Sequence, residues 1–90
     1  VTVTRLVLDV LKPHQPNVLE FSCMLAAAGE YQVYVVVEEM DEKTESLRVE
    51  VSGKEVDFAV VEDALKSMGA SVHSIDEVCA EQVPQPEQID

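Results

Sequence analysis

Apolar positions along this chain recur with a period of either two or about three and a half residues, and the changes between these periods mark six elements. From Val3 to Leu11 the period is two. Leu6, Leu8 and Val10 fall on one face and Arg5, Val7, Asp9 and Leu11 on the other, which predicts a strand. Lys12-Pro13-His14-Gln15-Pro16 stops it, because proline has no N–H to give to a ladder, and Pro16 suits the first turn of a helix. Val18, Phe21, Leu25 and Ala28 then recur at helical spacing, with Gly29 as the stop.

A β-branched run from Tyr31 to Met40 predicts a second strand, and Asp41-Glu42-Lys43-Thr44 a polar turn. Glu45 to Ser52 alternates cleanly, with Leu47, Val49 and Val51 inward and Ser46, Arg48, Glu50 and Ser52 outward. That is a half-buried strand paired with its predecessor as a hairpin. After Gly53-Lys54-Glu55, Asp57 is placed to cap a second helix. Phe58, Val61, Leu65 and Met68 form its buried stripe, and Gly69 ends it. Ala70 to about Cys79 is a fourth strand whose alternation fails around Ser74 to Asp76, as a β-bulge would make it fail. The last ten residues, 81–90, are polar and carry two prolines, a composition that predicts a disordered tail after one domain spanning 1–80.

The order β-α-β-β-α-β, with right-handed crossovers, gives an α+β sandwich of the ferredoxin-like type. Its four-stranded antiparallel sheet has the order 4-1-3-2, with both helices on one face. The first and fourth strands become neighbours, so Asp9 comes near Ser74 and Asp76. The helix-free face keeps Val7, Leu11 and one alternating set from the second strand, either Val33, Val35 and Val37 or Tyr34 and Val36. An uncovered apolar patch of this kind predicts self-association.

Composition narrows the function. Six Lys and Arg stand against eighteen Asp and Glu, a net charge of −12, and the basic residues are scattered. Binding to a phosphate backbone needs clustered positive charge, so no nucleic-acid partner is expected. No apolar run reaches the length of a membrane span and no signal-peptide core opens the chain, so a cytoplasmic location and no membrane partner are expected. Cys23 and Cys79 lie far apart and form no C-x-x-C pair, so buried, reduced thiols are expected, with a single disulfide as the alternative. No basic neighbour in sequence supports a nucleophilic role for either.

The candidate chemistry lies in the first and fourth strands. Asp9, Asp76 and Glu77 offer carboxylates and His14 and His73 imidazoles, a set suited to a divalent cation. Each residue also has a plainer reading. Asp9 can pair with Arg5 or Arg48 across the sheet, and the two histidines can serve as hydrogen-bonding turn and edge residues. Calcium takes about six oxygens, so this set would need main-chain oxygens, water or a neighbouring subunit. No Ser-His-Asp pattern and no Gly-rich phosphate loop occurs, and the loop after the first strand lacks the Gly and Arg of an acylphosphatase. No enzymatic activity is expected.

Two segments carry a family resemblance. Leu6-Val7-Leu8-Asp9-Val10-Leu11-Lys12-Pro13-His14 followed by Pro16, and His73-Ser74-Ile75-Asp76-Glu77-Val78, closely resemble the characteristic segments of domain of unknown function family 211, an archaeal family. The similarity runs from Thr4 to about Ala80. It implies a ferredoxin-like fold, an archaeal cytoplasmic origin and a ring-forming homo-oligomer, with calcium or another divalent cation associated with the fold in some members. It brings no activity and no substrate. The chain departs from the pattern at Gln15, where an acid is common, and at Ala59-Val60, which replace an acidic pair. The expected function is therefore a homo-oligomerising domain. The alternative is an ion- or small-molecule-sensing regulatory domain with sites at subunit interfaces.

Overall fold

A computed structural model of the chain describes residues 1–82. The elements run β1 (Thr2–Pro13), α1 (Val18–Ala27), β2 (Gln32–Met40), β3 (Thr44–Ser52), α2 (Phe58–Ser67) and β4 (Ser71–Glu81). The sheet has the order β2-β3-β1-β4 with every neighbouring pair antiparallel, which is the 4-1-3-2 ferredoxin-like topology read from its other edge. The tail predicted for 81–90 falls almost wholly outside the described residues, and β4 itself continues to Glu81.

The core lies between the sheet and its two helices. Leu6, Leu8 and Val10 of β1 and Leu47, Val49 and Val51 of β3 meet Phe21 and Leu25 of α1 and Val61 and Leu65 of α2. Helix starts and stops follow local chemistry. Asn17 caps α1, its side chain accepting from the Glu20 N–H at 2.9 Å, so Pro16 precedes the helix instead of entering its first turn. Asp57 caps α2 by accepting from the Ala59 N–H. Gly69 leaves α2 with φ +76°, the left-handed conformation glycine adopts without a Cβ clash.

Gly29 has a different role from the one its position suggests. The left-handed residue after α1 is Glu30, with φ 57°. A Cβ on Gly29 would stand 2.7 Å from Cε2 and Oη of Tyr31, so glycine is there to admit that ring. The Tyr31 hydroxyl in turn accepts the N–H of Asp57, tying the end of α1 to the start of α2.

β4 departs most from a regular strand. Val72, Ile75 and Val78 stand opposite Val10, Leu8 and Leu6, so three residues of β4 match every two of β1, with shifts at His73 and Asp76. The sequence Val-His-Ser-Ile-Asp-Glu-Val has this period of three. Each bulge adds one polar residue and keeps the apolar ones in register with the core face.

Candidate functional site

The helix-free face is charged over its middle. Arg5 donates from Nε to Glu50 and from Nη1 to Glu77 at 3.1 Å, and Arg48 reaches the other Glu77 oxygen at 3.6 Å. These side chains roof Val7, which is 1% exposed although it points away from the helices. Val7 therefore drops out of the expected apolar patch, because Arg5 and its partners on β3 and β4 cover it, while Leu11, Tyr34 and Val36 stay exposed. Of the two alternatives for β2, Tyr34 and Val36 take the helix-free face, opposite Glu50 and Arg48, while Val33 and Val35 pack on the core.

The five candidate ligands separate into four places. Asp9 lies opposite Ser74, as the predicted neighbourhood requires, and shares a pocket of about 260 Å³ with His73, Leu11 and Ser46. Asp76 accepts from the Ser74 hydroxyl at 2.7 Å. Glu77 is held between the two arginines, so the cross-sheet ion pairs go to Glu77 and Glu50 and not to Asp9. His14 lies apart, on the loop after β1. Among the described residues no group of three or more His, Cys, Asp or Glu is arranged to hold a metal ion. Within one chain these side chains do not make the oxygen-rich shell that calcium takes.

His14 belongs to a second cluster whose other members the sequence reading did not single out. Lys12 continues the inward row Leu6, Leu8, Val10, and its side chain is wholly buried. Its ammonium donates to the carbonyl oxygens of Pro13 at 2.7 Å and Pro16 at 2.6 Å, and stands 3.2 Å from Glu45 Oε1. The Phe21 ring centroid lies 5.9 Å away. Glu45 is Lys12's cross-strand partner, at the inward position preceding Leu47, Val49 and Val51. Its Oε2 lies 2.9 Å from His14 Nδ1, and His14 Nε2 lies 3.0 Å from the carbonyl oxygens of both Asp41 and Glu42.

Both ring nitrogens thus face acceptors, and the imidazole meets all of them only as the imidazolium, donating from each nitrogen. The hydrogen bond to Glu45 raises the His14 pKa above its ordinary value, with the two carbonyls adding to the effect against partial desolvation. The same bond, helped by Lys12 and opposed by burial, holds the Glu45 carboxyl below the usual carboxylate range. The cluster locks the proline loop to the β2–β3 turn. Alternation placed Lys12 and Glu45 on inward faces, and that was the signal available in the sequence.

The cysteines also differ from expectation. Cys23 lies on the outer side of α1 and Cys79 opposite Arg5 on the edge strand, and both are free and exposed. Among the described residues no helix is long and apolar enough to cross a membrane.

Comparison with known proteins agrees with the family resemblance of the sequence. The sequence pattern of the family described as uncharacterised ArCR, domain of unknown function 211, matches residues 4–87. An uncharacterised protein of the archaeon Methanocaldococcus jannaschii is 37% identical over 79 residues, which is 87% of this chain and 81% of that protein.

Proposed function

The chain belongs to the uncharacterised family DUF211, and from that premise we propose that it is a non-enzymatic, cytoplasmic domain that assembles with copies of itself. The supporting observation is the β2 edge. Tyr34 is 64% and Met40 63% exposed, and Val36 and Val37 between them are also open, so apolar side chains project from both faces of an edge strand. Among the described residues no strand pairs with the outer side of β2, and an open edge with apolar flanks is a template for pairing. A second copy supplies both the missing ladder and the missing apolar cover. The other edge, β4, offers Ile75 and Val78, so a β2-to-β4 contact is head-to-tail and closes into a ring when its rotation permits. Sedimentation at tens of micromolar checks the reading: it expects a defined multimer, and a strict monomer would refute it.

A second reading, sensing of an ion or small molecule at subunit interfaces, is favoured by the pocket that Asp9 and His73 share near the bulges of β4. A neighbouring subunit would then complete a ligand set that one chain leaves partial. A thermal-shift screen with calcium, other divalent cations and metabolites separates the two readings. An intact multimer with no shift leaves assembly alone.

A further inference from the structure

Helix α1 has no ordinary solvent face. Phe21 and Leu25 point into the core and Val18, Ser22 and Ala26 are half-buried, which leaves Leu19, Glu20, Cys23, Met24 and Ala27 outside, with Ala28 at the cap. Leu19 is 74% exposed and Met24 52%. The same molecule shows the usual alternative in α2, whose exposed side carries Asp63 and Lys66, the latter paired with Glu62 across one turn. Glu20 apart, the exposed side of α1 is free of charge, and a helix that carries apolar residues on its outer side as well as its inner one is normally covered on both.

We propose that α1 packs against α1 of a second copy, antiparallel and about a two-fold axis passing beside Cys23. This deepens the self-assembly reading and rests on it. Three features select a second copy as the occupant. Charge is the first: the chain carries −12, and the outer row Leu19-Cys23-Ala27 is free of it. A cationic partner would be drawn to the acidic faces, whereas another strongly acidic chain approaches closely only where acids are missing.

Size is the second feature. Leu19, Cys23 and Ala27 form a ridge at intervals of four, the spacing by which helix ridges interdigitate. A two-fold at Cys23 sets bulky Leu19 of each copy against small Ala27 of the other and brings the two Cys23 residues together. The third feature is Glu20, the one acid on this side of the helix. In the antiparallel arrangement the two copies of Glu20 sit at opposite ends, about 9 Å apart along the axis from the rise per residue. In a parallel pair they would be adjacent.

Helices of ten residues are about 15 Å long, and one such crossing covers less than the roughly 800 Å² a side of a stable stand-alone interface. The contact therefore works together with the sheet edge. An isologous helix contact added to a head-to-tail edge contact joins two rings back to back.

Cross-linking tests the arrangement. Under mild oxidation with copper phenanthroline, Cys79→Ser, which retains Cys23, is expected to give a disulfide-linked dimer on a non-reducing gel, and Cys23→Ser is not. Equal cross-linking in both variants, or none in Cys79→Ser, overturns the proposal. Leu19→Glu and Ala27→Glu change exposed positions only. Each is expected to keep the circular dichroism of the parent and to lower the assembled mass about two-fold, as loss of a two-fold contact requires. Unchanged mass in both also overturns it. If the parent chain sediments as a monomer, the self-assembly reading fails; if it is a multimer indifferent to these changes, only the α1 contact fails.

Discussion

Replacing Glu45 by Gln isolates what the buried cluster contributes. The substitution keeps the shape of the side chain and removes its charge. The Lys12 ammonium, with no solvent exposure, is left with the carbonyls of Pro13 and Pro16 but no counter-charge. Glu45 itself is only 6% exposed at the side chain, so bulk water does not fill the role. Breaking a buried pair by removing one partner costs about 3–5 kcal/mol, mostly the penalty of the stranded charge. For a domain this size each kcal/mol lowers Tm by roughly 4–8 °C. Urea unfolding near neutral pH, at one fixed protein concentration because assembly adds its own stabilisation, reads the effect. Lys12→Met combined with Glu45→Leu removes both charges, so its cost is expected to fall below that of Glu45→Gln alone. A Glu45→Gln protein within about 0.5 kcal/mol of the parent, the ordinary range for surface changes, would refute the argument that Lys12 depends on this carboxylate.

The pH dependence of stability follows from the same cluster. His14 has a raised pKa, so its contribution is full below the unfolded value of 6.5 and is lost as pH rises through the folded value. Glu45 has a lowered pKa, so its contribution is full above the unfolded value of 4.5 and is lost as pH falls through the folded value. Urea midpoints are expected to be highest between these limits, and His14→Gln to flatten the alkaline limb; equal alkaline slopes in both proteins would contradict the assignment. Gly29→Ala is expected to destabilise by about 1–3 kcal/mol through overpacking against Tyr31, while Gly53→Ala, whose nearest neighbour would be 3.5 Å away, stays within about 0.5 kcal/mol in the same assay. Glu77→Gln loosens a half-exposed ion-pair lattice and is expected to cost only about 0.2–1 kcal/mol, shrinking further in high salt.

Much of the fold could be read from periodicity because β1, β3 and both helices each turn a regular set of apolar residues into the core. Leu47, Val49 and Val51 alternate against solvent without interruption, and Val61 and Leu65 mark a helix stripe, so element type and order follow directly. The candidate site was less legible, for physical reasons. Lys12 reads as part of a strand-ending segment by residue type, although its parity places it inside. Only its pairing with Glu45, distant in sequence and adjacent in the sheet, makes that burial tolerable. The motif His73-Ser74-Ile75-Asp76-Glu77-Val78 carries ligand-type side chains by residue type alone. Its spacing also follows two bulges, and Glu77 pairs with Arg5 and Arg48, neither of which residue type discloses. Val7 shows the same limit, since Arg5 covers it only together with Glu50 and Arg48 of β3 and Glu77 of β4, which its own sequence neighbours do not reveal.

Self-assembly through the β2 edge is most directly tested by light-scattering mass measured across size-exclusion elution, at matched concentration, for the parent chain and for a Tyr34→Lys, Val36→Lys variant. Both positions are exposed, so the fold is retained, and lysines along an edge strand oppose pairing with another chain. The account predicts a defined multimer for the parent and a substantially smaller, folded species for the variant. A parent that elutes as a monomer, or a variant with the parent's full mass, would contradict it.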